Sequence, residues 1–167
     1  MMQRFKRFFR HLFSAPWQVH GYLSRQALTH IETAIRESER LHSGQLRFAV
    51  EVSLHPHALV KGTAPRQRAL EVFSELGVWD TAQNNGVLIY LLLADHDVEI
   101  VADRGIHAHV GNAGWETICH EMEAMFRRGE FEAGVLQGIT RISALLQQHY
   151  PPVKDHPNEL SDAPILL

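Results

Sequence analysis

Asn84-Asn85-Gly86-Val87-Leu88-Ile89-Tyr90-Leu91-Leu92-Leu93-Ala94-Asp95-His96-Asp97-Val98-Glu99-Ile100-Val101-Ala102-Asp103 is the stretch on which the fold turns. Residues 87–93 are continuously apolar, the pattern of a central strand covered on both faces. Asp95-His96-Asp97 is a tight reversal, and residues 98–103 alternate as the return strand. The two strands are therefore antiparallel neighbours. Ahead of them, residues 80–86 are turn chemistry, with Asn84-Asn85-Gly86 tolerating positive φ.

Working upstream, Leu46, Phe48, Val50 and Val52 alternate with Arg47, Ala49, Glu51 and Ser53, which predicts a strand with one buried face. A helix over 65–76, opened by Pro65 and striped by Ala69, Phe73 and Leu76, joins this strand to the next. Such a connection favours parallel pairing through a right-handed crossover. Residues 55–62 are expected to be a loop. A longer helix over 24–42, capped by Ser24, precedes the first strand, and Ser43-Gly44 stops it. Downstream, Trp115, Ile118, Met122, Met125 and Phe126 stripe one closing helix. Phe131, Val135, Ile139, Ile142 and Leu146 stripe another, and Gly129 separates the two. Alternating elements place helices on both faces of a short mixed sheet, so the expected fold is an α/β, three-layer α/β/α sandwich.

That topology sorts the polar residues onto two edges. His55, His57, Asp95, His96 and Asp97 fall at one. Gly44, Asp80, Asn84, Asn85, Asp103, Arg104, His107 and His109 fall at the other.

A chain of 167 residues suits one domain and needs no disulfide or structural metal to fold. Cys119 is the lone cysteine, so no intrachain disulfide can form. A net charge of −3 lacks the basic excess of a general nucleic-acid binder, and no nucleic-acid partner is expected. The charge is uneven, however. Arg4, Lys6, Arg7 and Arg10 sit among Phe5, Phe8, Phe9, Leu12 and Phe13, and the aromatic set follows one helical face. Residues 1–15 thus predict a basic amphipathic helix, which either lies in an anionic membrane interface or packs on the domain or a partner subunit. It has no separate apolar stretch, so no signal peptide is read and a cytoplasmic, membrane-peripheral location is expected. The domain proper spans 20–150. Residues 151–167 form an acidic, Pro-containing tail, expected to be mobile with its apolar end able to dock in a groove.

Several chemical motifs fail. There is no G-x-S-x-G elbow, Walker A loop or G-x-G-x-x-G fingerprint. His120-Glu121 opens like a zinc-protease helix, but Ala124 stands where the second ligand is needed. Asp95, Asp97 and Glu99 match a calcium loop only until Ile100 and Ile106 replace its glycine and closing Glu. Cys119, beside Trp115 and Met122, suits the core better than nucleophilic work. The pairs His55/His57 and His107/His109 could each offer two imidazoles to a transition metal, but they lie on predicted loops at opposite edges.

The 84–95 run and the return strand 98–106 resemble the core of the TPM domain family. Leu76-Gly77-Val78-Trp79 before it, and Phe126-Arg127-Arg128-Gly129 and Tyr150-Pro151 after it, extend the resemblance over about residues 24–151. The end of the chain, Pro157-Asn158-Glu159-Leu160 onward, is similar to that of short bacterial members, often encoded beside a LemA-type membrane protein. The resemblance implies an α/β/α sandwich. It also implies either an acid-phosphatase activity, as described for thylakoid relatives, or binding of calcium and other divalent ions at an acidic sheet edge. Secreted members tend to show Gly-aromatic-Gly where this chain has Asp103-Arg104-Gly105.

Mapped here, the expected metal residues are Asp80, Asn84, Asn85 and Asp103, whose oxygens suit Ca²⁺ or Mg²⁺. Asp103 and Arg104 are the catalytic candidates if a bound metal acts as Lewis acid on a phosphoryl oxygen. Simple turn chemistry accounts equally for Asn84-Asn85-Gly86, and a strand-end cap or ion pair for Asp103-Arg104. The leading expectation is an interaction module at or near a membrane, its partner a LemA-type or another TPM protein, with peripheral contact to anionic lipid. The alternative is a divalent-metal-dependent phosphatase acting on phosphomonoesters.

Overall fold

The computed structural model describes residues 2–154 and 156–167, with the side chains of residues 2–5 and 16 outside the description. Arg4 and Phe5 of the amphipathic pattern, the side chain of Pro16, and Asp155 of the tail therefore fall outside the described set. The elements run α1 (Met2–Leu12), α2 (Val19–Tyr22), α3 (Arg25–Glu39), β1 (Gln45–Glu51), α4 (Pro56–Lys61), α5 (Pro65–Glu75) and β2 (Gly86–Leu92). They continue with β3 (Asp97–Ala102), α6 (Arg104–Phe126), α7 (Phe131–His149) and β4 (Ile165–Leu166).

The sheet has the order β3-β2-β1-β4. β1 and β2 are parallel from Gln45↔Gly86 to Glu51↔Leu92, and β2 and β3 antiparallel from Val87↔Ala102 to Leu92↔Asp97. The apolar run of β2 is buried along its whole length because successive side chains enter two different cores. Val87, Ile89 and Leu91 join Phe48 and Val50 against Ile31 and Ile35 of α3, Ile118 and Met122 of α6, and Val135 and Ile139 of α7. Leu88, Tyr90 and Leu92 face Ala69, Val72 and Phe73 of α5. These are the three layers of an α/β/α sandwich, as the sequence predicts. Ser24 caps α3 as expected, its Oγ accepting from Ala27 N–H at 3.0 Å.

Three local expectations are corrected. Residues 55–62 hold a helix, α4, with Pro56 in its first turn and Gly62 as its left-handed cap at φ 74°. β1 is buried on both faces, not one, because Arg47 and Glu51 find partners beneath α5 and the tail. His107 and His109 stand on α6, not a loop; His109 stacks on His149 of α7 with ring centres 4.3 Å apart. The apolar end of the tail docks, as expected of it, and adds β4 as a fourth strand, parallel to β1.

Candidate functional site

Parallel β1 and β2 begin, and β3 ends, at the same end of the sheet, so the segments before and after them meet there. Thr81 O accepts from Asn84 N–H at 3.2 Å, and Thr81 Oγ1 from Asn85 N–H at 3.1 Å, closing a turn. Asn84 sits left-handed in that turn at φ 52°, a conformation asparagine tolerates better than most residues. Asn85 is fully buried, and its Nδ2 donates to Ser43 O at 3.0 Å, tying the turn to the start of β1.

Asp103 arrives from the other side. Its N–H donates to Gly86 O at 2.8 Å, and its Oδ1 caps α6 by accepting from Arg104 N–H at 2.7 Å. Arg104 Nε reaches back to Asn84 Oδ1 at 3.3 Å. The Asp103-Arg104 contact is thus a main-chain cap. Gly105 packs beneath: a side-chain carbon there would stand 2.5 Å from Asn84 O, 2.7 Å from the Tyr150 hydroxyl and 2.9 Å from Gln83 O. Burial and the nearby Asp103 charge push the Tyr150 hydroxyl above its ordinary range.

Asn84, Asn85, Asp103 and Arg104 are therefore brought together. Asp80 lies exposed in the preceding loop, its N–H donating to Gly77 O at 2.9 Å; among the described residues no side-chain hydrogen bond joins it to the others. Sequence reasoning did not assign Tyr150 to this end, since nothing in its spacing shows that the end of α7 returns to the hairpin.

Two buried oxygens here, Asn85 Oδ1 and Asp103 Oδ2, have no donor among the described residues. Buried acceptors are nearly always partnered, so both are available to a cation. The donors are hard oxygens, which suits Ca²⁺ or Mg²⁺. Only one is a carboxylate, and among the described residues no group of three or more His, Cys, Asp or Glu side chains is arranged to hold a metal ion.

The opposite end is closed by α1. Asp95 Oδ2 accepts from Arg7 Nε at 2.8 Å, and Asp95 also pairs with Arg10. Buried His11 accepts Leu54 N–H on Nδ1 at 3.0 Å, which leaves its proton on Nε2, 3.1 Å from Asp95 Oδ1. Burial alone would raise the Asp95 carboxyl; contacts from His11 and Arg7 overturn that and hold it well below the usual carboxylate range. Asp95 is therefore a clamp as well as part of the reversal. Beside it, burial and the charge of Glu99 push Asp97 up to about 7. Burial also pushes the Cys119 thiol up to about 12, in keeping with a core role.

The hairpin that returns an acidic helix cap beside the Asn-Asn-Gly turn lies within the part of the chain that matches the TPM domain family. The chain belongs to that family: the TPM domain matches residues 18–145. It is similar to the BA42 protein of the psychrophilic bacterium Bizionia argentinensis, with 29% identity over 86% of this chain and 94% of that one, at a TM-score of 0.75. The N-terminal domain of a P. gingivalis protein shares the fold at 19% identity, covering 80% of this chain and 83% of that one, with a TM-score of 0.65. None of the curated proteins matches the sequence. Among the described residues, no helix is long and apolar enough to cross a membrane.

Proposed function

We propose that this chain is an interaction module whose N-terminal segment, α1 and the residues just after it, offers an aromatic surface to a membrane-associated protein, on the cytoplasmic side. One observation carries the reading. Arg7 and Arg10 are turned onto Asp95, while Phe13 and Trp17 are 74% and 77% exposed, with Phe9 and Leu12 half exposed beside them. Clustered exposed aromatics mark contact surfaces. With two of its cations committed to Asp95, the helix has less charge for anionic lipid, so an apolar protein surface is the better match. The family resemblance supplies the candidate, a LemA-type protein or another TPM protein. The test is flotation with liposomes that do or do not carry a reconstituted LemA-type protein. The chain is expected to float only with the loaded vesicles, and Phe13→Ser/Trp17→Ser to stay behind. Absence from both kinds of vesicle sinks this reading.

The orphaned oxygens of Asn85 and Asp103 favour a second reading, divalent-cation binding at the hairpin end. Asn85, Asp103 and the neighbouring Asn84 would hold the ion. With so few charged ligands, the affinity belongs at the weak end of calcium sites, roughly 10⁻⁴–10⁻³ M. Such a cation would supply Lewis-acid chemistry toward a phosphoryl oxygen, with Arg104 neutralising charge, which is the phosphatase alternative. Calcium should raise the melting midpoint of the chain, and Asp103→Asn should abolish the rise. Hydrolysis of a generic phosphomonoester by the native chain but not by Asp103→Asn would add catalysis. An unmoved midpoint in excess calcium or magnesium would remove both.

A further inference from the structure

Residues 156–167 run along the outer edge of β1, and most of their polar contacts involve their main chain. Gln45 Oε1 accepts from the N–H groups of Glu159 and Leu160 at 2.7 and 2.8 Å. Arg47 Nη1 donates to Ser161 O. Leu167 N–H donates to Val50 O at 2.9 Å, extending the β4 pairing. Side-chain recognition is sparse. Asp162 Oδ2 lies 3.4 Å from Arg36 Nε, Glu159 Oε2 accepts from Ala82 N–H at 2.9 Å, and Leu160 and Ile165 pack against the α5 core.

With the tail in place the receiving side chains are buried: Gln45 is 2% exposed and Arg47 8%. Polar groups are costly at such depth without partners. Among the described residues, the one hydrogen bond from the Arg47 side chain goes to the tail carbonyl. An ordinary sheet edge is blunted with solvated charge. This one turns a buried amide and a buried guanidinium toward peptide main-chain atoms. The strand pairing of the occupant is short: only Ile165–Leu166 pair as strand, Leu166 and Leu167 remain exposed, and the connecting residues 151–154 are exposed as well.

We propose that the outer edge of β1 is a peptide-binding slot and that residues 157–167 occupy it in cis. In trans it takes an extended segment of another protein by strand addition. The tail in the slot defines the chemistry of that segment: a carboxylate followed, three residues later, by two aliphatic side chains, as Asp162 precedes Ile165 and Leu166. Main-chain bonds supply the affinity and the few side-chain pockets the selectivity. The cis tail sets the threshold, because a tethered segment competes at an effective concentration on the order of millimolar.

The test uses a fluorescein-labelled peptide of residues 157–167, titrated by anisotropy against the full chain and two full-length variants. Leu167→Pro removes the N–H that bonds Val50 O and so weakens the cis occupant. The peptide should bind Leu167→Pro at least about tenfold more tightly than the native chain, since its competitor is loosened. Adding Arg47→Gln to Leu167→Pro should weaken peptide binding by about tenfold or more. Hydrogen exchange of the amides of Glu159, Leu160 and Leu167 (of Glu159 and Leu160 in Leu167→Pro) reports whether the tail has been released. Released amides without peptide binding at up to about 100 µM would overturn the proposal. Equal binding with and without Arg47 would also do so, as would tail amides that stay protected in Leu167→Pro. Dimers of Leu167→Pro that form while the peptide fails to bind would assign the slot to exchange between copies instead.

Discussion

Arg7 Nε donates to Asp95 Oδ2 at 2.8 Å across a separation of 88 residues, and this bond fixes the orientation of the N-terminal helix. A helix with apolar and basic faces usually docks by the apolar one. Here Asp95, only 9% exposed in its side chain, holds both Arg7 and Arg10, while Phe9 and, just past the helix, Phe13 stay exposed. Asp95→Ala should therefore free α1 and lower stability in urea by about 1–2 kcal/mol, the lower part of the range for charged hydrogen bonds because both arginines are partly solvated. Trypsin should then cut at Arg7 and Arg10 faster than in the native chain. Because the native Asp95 carboxyl is depressed, its contribution is complete above the ordinary Asp range and fades only as pH falls toward the native value. α1 should stay docked at about pH 4.

The hairpin and both layers of helices were legible because their signals are local. The 87–93 run, the Asp95-His96-Asp97 reversal and the helical stripes each specify one element. The grouping of Asn84, Asn85, Asp103 and Arg104 followed from connectivity alone. What escaped the sequence depends on contacts between distant segments. Nothing near Arg47 or Glu51 shows that a tail and α5 will cover them, so the alternation in β1 suggested a solvated face. Asp95 looked like a polar turn residue because its partners lie at the other end of the chain. The α4 helix was missed for a different reason: six residues between a Pro and a Gly carry too little periodicity to separate a turn of helix from a loop.

Glu39 gives the tail a pH dependence. Leu46 N–H donates to its Oε1 at 2.8 Å, and its carboxyl lies close to that of Asp162. Burial, with Asp162 adding to it, pushes Glu39 up to about 8. A carboxyl raised in the folded state stabilises fully below its ordinary value of 4.5, and that contribution is lost as pH climbs through about 8. The amides of Glu159 and Leu160 should therefore lose protection between about pH 4.5 and 8, beyond the intrinsic rise in exchange rate. Glu39→Gln, which keeps a neutral donor beside Asp162, should flatten that dependence. An unchanged profile in Glu39→Gln would remove Glu39 as its cause.

Gly105 is set by close approach. An added Cβ would meet the main-chain oxygens of Asn84 and Gln83 and the Tyr150 hydroxyl, and the carbonyls cannot rotate away. Gly105→Ala should cost about 1–3 kcal/mol in chemical denaturation, as overpacking does. Gly21 has nothing within 4 Å of the same position, so Gly21→Ala should be neutral or stabilise by up to about 1 kcal/mol. Equal effects of the two substitutions would mean that the hairpin end yields more easily than its packing implies.

The buried carboxylate of Glu51 depends on two neighbours from different layers. Arg68 Nε of α5 donates to its Oε2 at 3.0 Å, and the Tyr90 hydroxyl of β2 donates to the same oxygen at 2.7 Å. Burial and the Glu51 charge raise the Tyr90 hydroxyl far above its ordinary range, so it remains a donor at every working pH. Tyr90→Phe removes one bond and should cost about 1–2 kcal/mol. Arg68→Met leaves a charge without its cation in a site 6% exposed, and should cost about 3 kcal/mol, the lower end for a broken buried pair since Arg68 is partly solvated. Arg68→Met/Glu51→Leu should recover part of that loss, because the uncompensated charge is gone while the buried Tyr90 hydroxyl loses its acceptor. Urea denaturation of Arg68→Met, Glu51→Leu and the double variant closes a thermodynamic cycle whose coupling term should exceed about 1 kcal/mol. A coupling near zero would show that Glu51 is held by Tyr90 alone, and that α5 is fixed to the sheet by its apolar stripe without help from the ion pair.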